Sequence, residues 1–407
     1  MATELSPGGP SESKRVAVVA YTEYPWDPRV RREAEGLVYE GYTVHAITVR
    51  PRSGCSPTNI NGVSLHEVPL LIRRGGKARY IFQYAMFFLL SSAILWGLHL
   101  RHRFTLVHVH SVPDFQVFCG IPPRVAGTSV LLDLHEAMPE ILAARFRLDE
   151  KSPWVRVAAV LEQLSCHFAD HVIAANDGIR RAVIERGTPG DKVSVVYNPW
   201  SAEESQSNPT SLLGELGMLR GQILVHAGGI NPERDLETLL VAMARLPKEM
   251  DIHLIVAGEG DSDYVADLGR LARDLGIGKQ VQFLGKVSHD RAIALMSLAT
   301  VGIVTLEANP LTQIAWPSRV TEFAGLRKPL IVPRLSFLQE TLQEAAQYYE
   351  PGNPDSLARE LKAVLMAPDR LMEAVAKAAE VCRGFEWGKM RDSLASVYRR
   401  LEGMRVA

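Results

Sequence analysis

Cysteine is scarce. Cys55, Cys119, Cys166 and Cys382 are spread over 407 residues with no Cys-x-x-Cys pair. That excludes a zinc ribbon and a disulfide framework, and it fits a reducing cytosol. A basic excess is also missing: Lys+Arg 45 against Asp+Glu 46 gives a net charge of −1. A global nucleic-acid binder, which needs a basic footprint, is therefore not expected. The first 13 residues are polar and rich in Gly, Pro and Ser. They lack the apolar run of a signal peptide and read as a disordered tail. No short-period repeat is found.

Apolar and charged residues make up 47% and 22% of the chain, an ordinary globular balance. The length suffices for more than one core. Val16–Tyr21 is a short apolar run suited to a strand buried on both faces. Asp27-Pro28 then reads as an N-cap and first helical residue, with a helix to Glu40 that stops at Gly41. Thr43–Val49 is the next strand. The rhythm continues with strands at Leu106–His110, Val130–Leu134, Val172–Ala175 and Val193–Tyr197. Pro199–Pro209 is polar and reads as a linker. Strands resume at Ile223–Ala227, Ile252–Ala257, Val281–Leu284, Val301–Val304 and Pro329–Val332. Alternation of this kind predicts an α/β protein of two doubly wound, Rossmann-like domains, at 14–200 and 201–384. Ligands of such sheets bind at the carboxyl ends of the strands, here in a cleft between the domains.

Tyr80–Leu100 carries no Asp, Glu, Lys or Arg and is long enough to span a bilayer. Gln83, Ser91, Ser92 and His99 interrupt it, and it lies between strands of one sheet. Three readings stay open: a buried or partly buried helix, a helix in the membrane surface, or a span. From Arg29 to Arg103 there are 11 Lys/Arg against 4 Glu and no Asp. The plain reading is a solvated face; the sharper one is a surface for anionic headgroups or a pyrophosphate-bearing acceptor.

Candidate chemistry clusters in the second half. Gly228-Gly229 follows a strand and precedes a helix near Pro232–Asp235, where free N–H groups and the donors of Arg234 suit a diphosphate. Gly258-Glu-Gly260 is a second such turn. Pro317 would open a helix, leaving the N–H groups of Ser318 and Arg319 free. Glu322, one turn in, could accept from both hydroxyls of a ribose. Asp261-Ser-Asp263 mimics a metal-binding DxD but has no other ligand nearby, so no metal is expected.

The order of motifs resembles the GT-B glycosyltransferases, specifically the large retaining family 4. Asp27-Pro-Arg-Val-Arg-Arg-Glu-Ala34 is similar to its N-terminal opening, and Asp133-Leu-His-Glu136 with Pro139-Glu140 to its D-x-H-E…P-E. Tyr197-Asn198 is similar to the pair closing the first domain, and Pro317-Ser-Arg-Val-Thr-Glu-Phe323 with Gly325 and Lys328-Pro329 to P-x-K-x-x-E-Y…G-x-P. Phe385-Glu-Trp387 resembles the point where a C-terminal helix, 385–407, crosses back to the first domain. The resemblance implies transfer of a sugar from a nucleotide-diphosphate donor, with retention and without a metal cofactor. The acceptor would be lipid-linked or a saccharide. Glu322 would hold the ribose, and Arg234, Gly228, Gly229, Gly258, Ser318 and Arg319 would lie near the phosphates. Gly285, Lys286 and Val287 would lie near the base, and His135 near the transferred sugar. His135 and Glu322 are thus the catalytic candidates. Two departures stand out. Ile314 occupies the place of a first family glutamate eight residues before Glu322, and Gly229 that of the usual phosphate-loop arginine. A nucleotide-sugar 2-epimerase and a catalytically silent binding module are the alternatives. The expected setting is cytoplasmic and peripheral, on the inner face of the membrane, in cell-surface polysaccharide or glycolipid assembly.

Overall fold

The computed structural model describes residues 14–51, 54, 57–72, 77–149, 151–198, 212, 216–217 and 221–403. The expected tail and the Pro199–Pro209 linker lie outside them. The described residues form two compact units. One runs up to Tyr197 and includes those from Met390 onward; the other is Asn198–Lys389.

The first unit is built on one eight-stranded sheet, in the order β3-β4-β2-β1-β5-β6-β7-β8. Its strands are β1 (Arg15–Ala20), β2 (Thr43–Val49), β3 (Asn59–Ile60), β4 (Val63–Val68), β5 (Leu106–His110), β6 (Ser129–Leu134), β7 (His171–Ala174) and β8 (Val193–Val195). All neighbours are parallel except β3 and β4. Val16–Ala20, Val107, Val109 and Val130–Leu132 are buried, as a parallel sheet covered on both faces requires. The helices are α1 (Pro28–Tyr39), α2 (Lys77–His102), α3 (Ile121–Val125), α4 (Met138–Phe146), α5 (Pro153–Phe168) and α6 (Asp177–Glu185), with a 3-10 segment at Asp114–Gly120. Asp27 caps α1 as the sequence predicts, accepting from the N–H groups of Arg29 and Val30 at 3.1 Å.

Right-handed crossovers fix the faces. The chain steps from β1 to β2 in one direction and from β4 through β5, β6 and β7 in the other. So α1 covers one face, and α2, α3 and α5 cover the opposite one. From Met390 onward the C-terminal helix Trp387–Gly403 belongs to this unit, on the side of α1, with Arg391 over the Tyr39 ring. Tyr398 Oη meets His108 Nδ1 at 2.9 Å, and Glu402 binds Tyr42 and Lys14.

In the second unit, β9 (Gln222–Ala227), β10 (Ile252–Ala257) and β11 (Val281–Gly285) form one parallel sheet. The strands β12 (Gly302–Ile303), β13 (Leu330–Pro333) and β14 (Gln347–Tyr349) form another. A parallel bridge between Leu224 and Val301 joins them. Two apolar cores flank the strands, one around Phe323, Val225 and Leu338, the other around Leu239, Leu254 and Leu361.

Candidate active site

In the second unit three glycine turns stack at the carboxyl ends of adjacent strands. Gly228 N–H donates to Ala257 O, and Gly258 N–H to Gly285 O, each at 2.8 Å. A Cβ on Gly258 would sit 1.7 Å from Gly228 O. The glycine there therefore serves the approach of one turn to the next. Gly228 has φ +135°, and a Cβ on it would meet Arg319 Nη1 at 2.0 Å. The turns are crowded from below, while Gly229 is exposed above.

That crowding comes from Arg319. Pro317 is the cap rather than the first residue of the helix Ser318–Gly325, so Ser318 begins it, exposed, and Arg319 turns inward, 8% exposed. Its guanidinium donates to Ala227 O under the Gly228 turn. Burial first, then the like charge of Arg234, push its pKa down to about 9. Arg234 lies in a 3-10 turn, Pro232–Arg234, ahead of the helix Leu236–Ala244; its carbonyl accepts from Thr305 Oγ1 at 2.5 Å. His226, buried beneath the same turn, is held neutral by burial and by both arginines. Two arginines and a Gly-Gly turn are thus neighbours, a cationic, donor-rich grouping of the kind that suits a diphosphate. Glu322 is half-buried one turn further along, and its charge acts on Arg319. Lys286 is exposed and 3.9 Å from Glu259; Gly285 has open space around it, and Val287 packs on the core.

Upstream of Ile314 lies Glu307. Its N–H donates to Glu233 O at 3.0 Å, which brings its backbone beside the Arg234 turn. Ile314 ends a short helix, Pro310–Ile314.

In the first unit His135 follows β6, 21% exposed at its side chain. Its Nε2 lies 2.9 Å from His110 Nδ1 and 3.3 Å from Asp133 Oδ2, and His110 Nδ1 lies 3.0 Å from the same oxygen. A carboxylate only accepts, so an imidazole N–H must point at Asp133. Arg29 donates to both oxygens of Asp133, Oδ2 included, and lies 3.2 Å from Glu33. Burial would raise the Asp133 carboxyl, but Arg29, His135 and His110 outweigh it and hold it well below the usual range. Burial, aided by Asp133, raises Glu33 well above that range against the pull of Arg29. Sequence reading picked out His135 but missed this support, because Arg29, His110 and Asp133 are far apart in the chain.

Among the described residues, ligand atoms of Glu33, His108, His110 and Asp133 all lie within 4.8 Å of one another, close enough to share a metal ion. The cation in contact with both carboxylates is Arg29. Asp261, half of the DxD, is an N-cap: its side chain accepts from Asp263 N–H at 3.0 Å and Tyr264 N–H at 3.3 Å. A cavity of about 790 Å³, lined by Leu246, Lys248, Gly276 and Lys279, opens at the amino ends of β10 and β11, opposite the glycine turns.

Known proteins resemble this chain in sequence and in fold. Residues 27–199 match the family model described as a glycosyl transferase 4-like domain. Residues 219–381 match the glycosyl transferases group 1. An uncharacterized glycosyltransferase of Methanocaldococcus jannaschii is 24% identical over 95% of this chain and 98% of its own length. Among solved structures, sucrose-phosphate synthase of Thermosynechococcus elongatus superposes with a TM-score of 0.76 at 17% identity, covering 96% of this chain and 100% of that one. Anabaena HepE in complex with UDP-glucose does so with 0.73 at 15%, covering 95% and 99%. Both halves of the chain are matched, and the chain belongs to the group 1 glycosyltransferases of the GT-B fold.

Proposed function

We propose that the enzyme takes a nucleotide-diphosphate sugar and passes the sugar to an acceptor hydroxyl with retention at the anomeric carbon. The observation that carries this reading is Arg319. A buried guanidinium whose charge is opposed by burial and by Arg234 gains most when an anion joins them. A diphosphate laid on Gly228-Gly229 supplies that anion, with Ser318 at the adjoining helix start. Glu322 then accepts from the ribose, and Gly285, Lys286 and Val287 border the base. The structural likeness to a protein holding UDP-glucose supports a donor of this class.

Catalysis in such a site is positioning plus stabilisation of the departing diphosphate. Arg234 and Arg319 oppose the charge that develops on the leaving group, the task a metal ion performs elsewhere, so the reaction runs without a divalent cation. His135, fixed by Asp133 and His110, is assigned to the sugar being transferred. The acceptor is a lipid-linked or saccharide hydroxyl, in polysaccharide or glycolipid assembly on the cytoplasmic side of a membrane.

Thermal-shift screening against UDP-, GDP- and ADP-sugars tests the donor assignment, because a ligand that binds only the native state raises apparent stability. One nucleotide series should raise the melting temperature, and Arg319→Met should abolish that rise. No shift with any nucleotide sugar or free nucleoside diphosphate would overturn the reading.

A further inference from the structure

Two helices on one face of the first unit are built inside out. In α2 the residues turned to the sheet include Gln83, Ser91 and Ser92 beside Phe87 and Leu95. Those turned to solvent are Ile81, Phe82, Leu89, Trp96 and Leu100, with Leu100 82% exposed. In α5 the buried residues include Glu162 and Ser165, while Trp154, Val157, Val160, Leu161 and Leu164 face outward. With exposed Ala85 and Ala93 the α2 set runs Phe82, Ala85, Leu89, Ala93, Trp96, Leu100, at intervals of three or four, and Trp154, Val157, Leu161 and Leu164 do the same in α5, so each forms a continuous stripe. The inverted pattern has local causes. Glu162 is buried because Arg186 binds both its oxygens, at 2.7 and 2.9 Å, and Ser91 because Gln116 donates to it at 2.8 Å. With Ser91 and Glu162 satisfied inside, the apolar residues beside them on each helix are left outside.

The stripes belong to one surface. The crossovers put α2, α3 and α5 on the same side of the sheet, and the 3-10 segment Asp114–Gly120 lies between α2 and α5. Trp96 Nε1 donates to Cys119 O at 2.9 Å, and the Phe118 and Phe168 rings are 5.2 Å apart. Between the stripes α3 adds exposed Ile121 and Val125. Isolated exposed apolar residues are ordinary; a contiguous field across three helices marks an interaction surface.

Its border is basic. Arg79 stands at the start of α2, and Arg101 and Arg103 at its end. Arg145, whose guanidinium lies 4.7 Å over the Tyr80 ring, is followed by Arg147, Lys151 and Arg156, all exposed. Glu136 and Asp149 are the exposed acids described between 77 and 168. A second copy of the chain would bring like charge against like charge, because both ends of the α2 stripe are basic. Trp96 and Trp154 within the field, and arginines along its edge, fit the boundary between acyl chains and headgroups.

We propose that the face made by α2, α3 and α5 docks on an anionic lipid surface, with Phe82, Leu89, Leu100, Trp154, Val157 and Leu164 entering the headgroup–acyl boundary. The sheet edge that carries His135 is then held near the bilayer: Tyr84, in the first half of α2, packs 5.1 Å from Tyr21, which follows β1 at that edge. The inference does not depend on the donor assignment, and its test reads binding rather than turnover.

The test is flotation of the full chain with vesicles of phosphatidylcholine alone or mixed with phosphatidylglycerol, at low and high salt. The wild type should float with the mixed vesicles, less at high salt as the charges are screened. Phe82→Ser with Leu89→Ser and Leu100→Ser should lower the bound fraction about tenfold or more. Trp154→Ser with Val157→Ser and Leu164→Ser should do the same. Met366→Ser with Met372→Ser, exposed in the second unit, should change nothing. Each variant's melting curve verifies folding. Failure of the wild type to float with any vesicle would overturn the proposal, as would serine variants that float like the wild type. A concentration-dependent dimer dissolved by the serine substitutions, without flotation, would assign the face to a second copy instead. Capture of a protein partner by a chain that does not float would likewise overturn the lipid assignment.

Discussion

Arg29 holds Asp133 with two hydrogen bonds, Nε to Oδ2 at 2.8 Å and Nη2 to Oδ1 at 2.7 Å, across 104 residues of chain. Two motifs read separately in the sequence, Asp27-Pro-Arg and Asp133-Leu-His-Glu, are therefore one contact. Its third guanidinium nitrogen, Nη1, donates to Val196 O at 2.7 Å, next to the Tyr197-Asn198 pair. The N-terminal opening, the candidate histidine and the end of the first unit share a single buried guanidinium.

Asp133→Asn should therefore destabilise the first unit strongly. The substitution leaves Arg29 buried beside a neutral amide, and breaking one partner of a buried pair costs about 3–5 kcal/mol. Urea unfolding of wild type and variant measures it. A loss below about 1 kcal/mol, the scale of an exposed pair, would mean that Arg29 is neutralised by another group.

Glu322→Ala should weaken donor binding about tenfold or more, since charge-assisted hydrogen bonds to a ribose are worth roughly 1.5–3 kcal/mol each. The donor KM should rise most, because the ribose is remote from the reacting carbon. Glu322→Gln should fall between the two. A helix-terminal carboxylate without a ligand contributes only about 0.3–1 kcal/mol to stability. Unchanged donor affinity in a folded Glu322→Ala protein would leave that lesser role alone.

Transfer should survive chelation. Asp261→Ala removes an N-cap and should cost about 1 kcal/mol of stability, with turnover unchanged. Asp263→Ala should be close to neutral in both. Activity lost in EDTA and restored by magnesium or manganese would show a metal requirement, and the buried group Glu33, His108, His110 and Asp133 would become the first place to look.

His171 gives a pH signature. Burial first, then Arg400 and Lys192, lower its pKa to about 4, against about 6.5 in an unfolded chain. Between those values the unfolded state binds a proton that the folded state does not, so this residue's contribution falls as pH drops from 7 toward 4. The stability gap between wild type and His171→Gln should shrink between pH 7 and pH 5. A gap that stays constant or widens on acidification would contradict the shift.

Much of the scaffold was legible. Thr43–Val49, Leu106–His110 and Ile252–Ala257 were each expected at the residues they occupy, because a strand buried on both faces must be an unbroken apolar run. The strand Val63–Val68 was not expected: its sequence alternates Ser, His and Glu with apolar residues, and it lies toward the sheet edge next to β3. In the second unit Ser318 and Arg319 were both expected at the exposed start of a helix, but the Arg319 side chain is not there. It is Ser318 that stands there. A one-residue shift in the helix start rotates the side chains by about 100°, and only packing under the Gly228 turn decides which of the two goes inside.

The sequence by itself determined the alternation of strands and helices and the motif order that marks the family, since these depend on local apolar runs, caps and turns. The tertiary structure alone decided which groups share a charge. Arg29, Glu33, His110, Asp133 and His135 meet because parallel strands bring distant carboxyl ends to one edge. It also decided that Ser91 and Glu162 are inside while Leu89 and Leu164 are outside. Periodicity gives a helix two faces, but which face turns inward depends on the partner waiting there, Gln116 for one and Arg186 for the other.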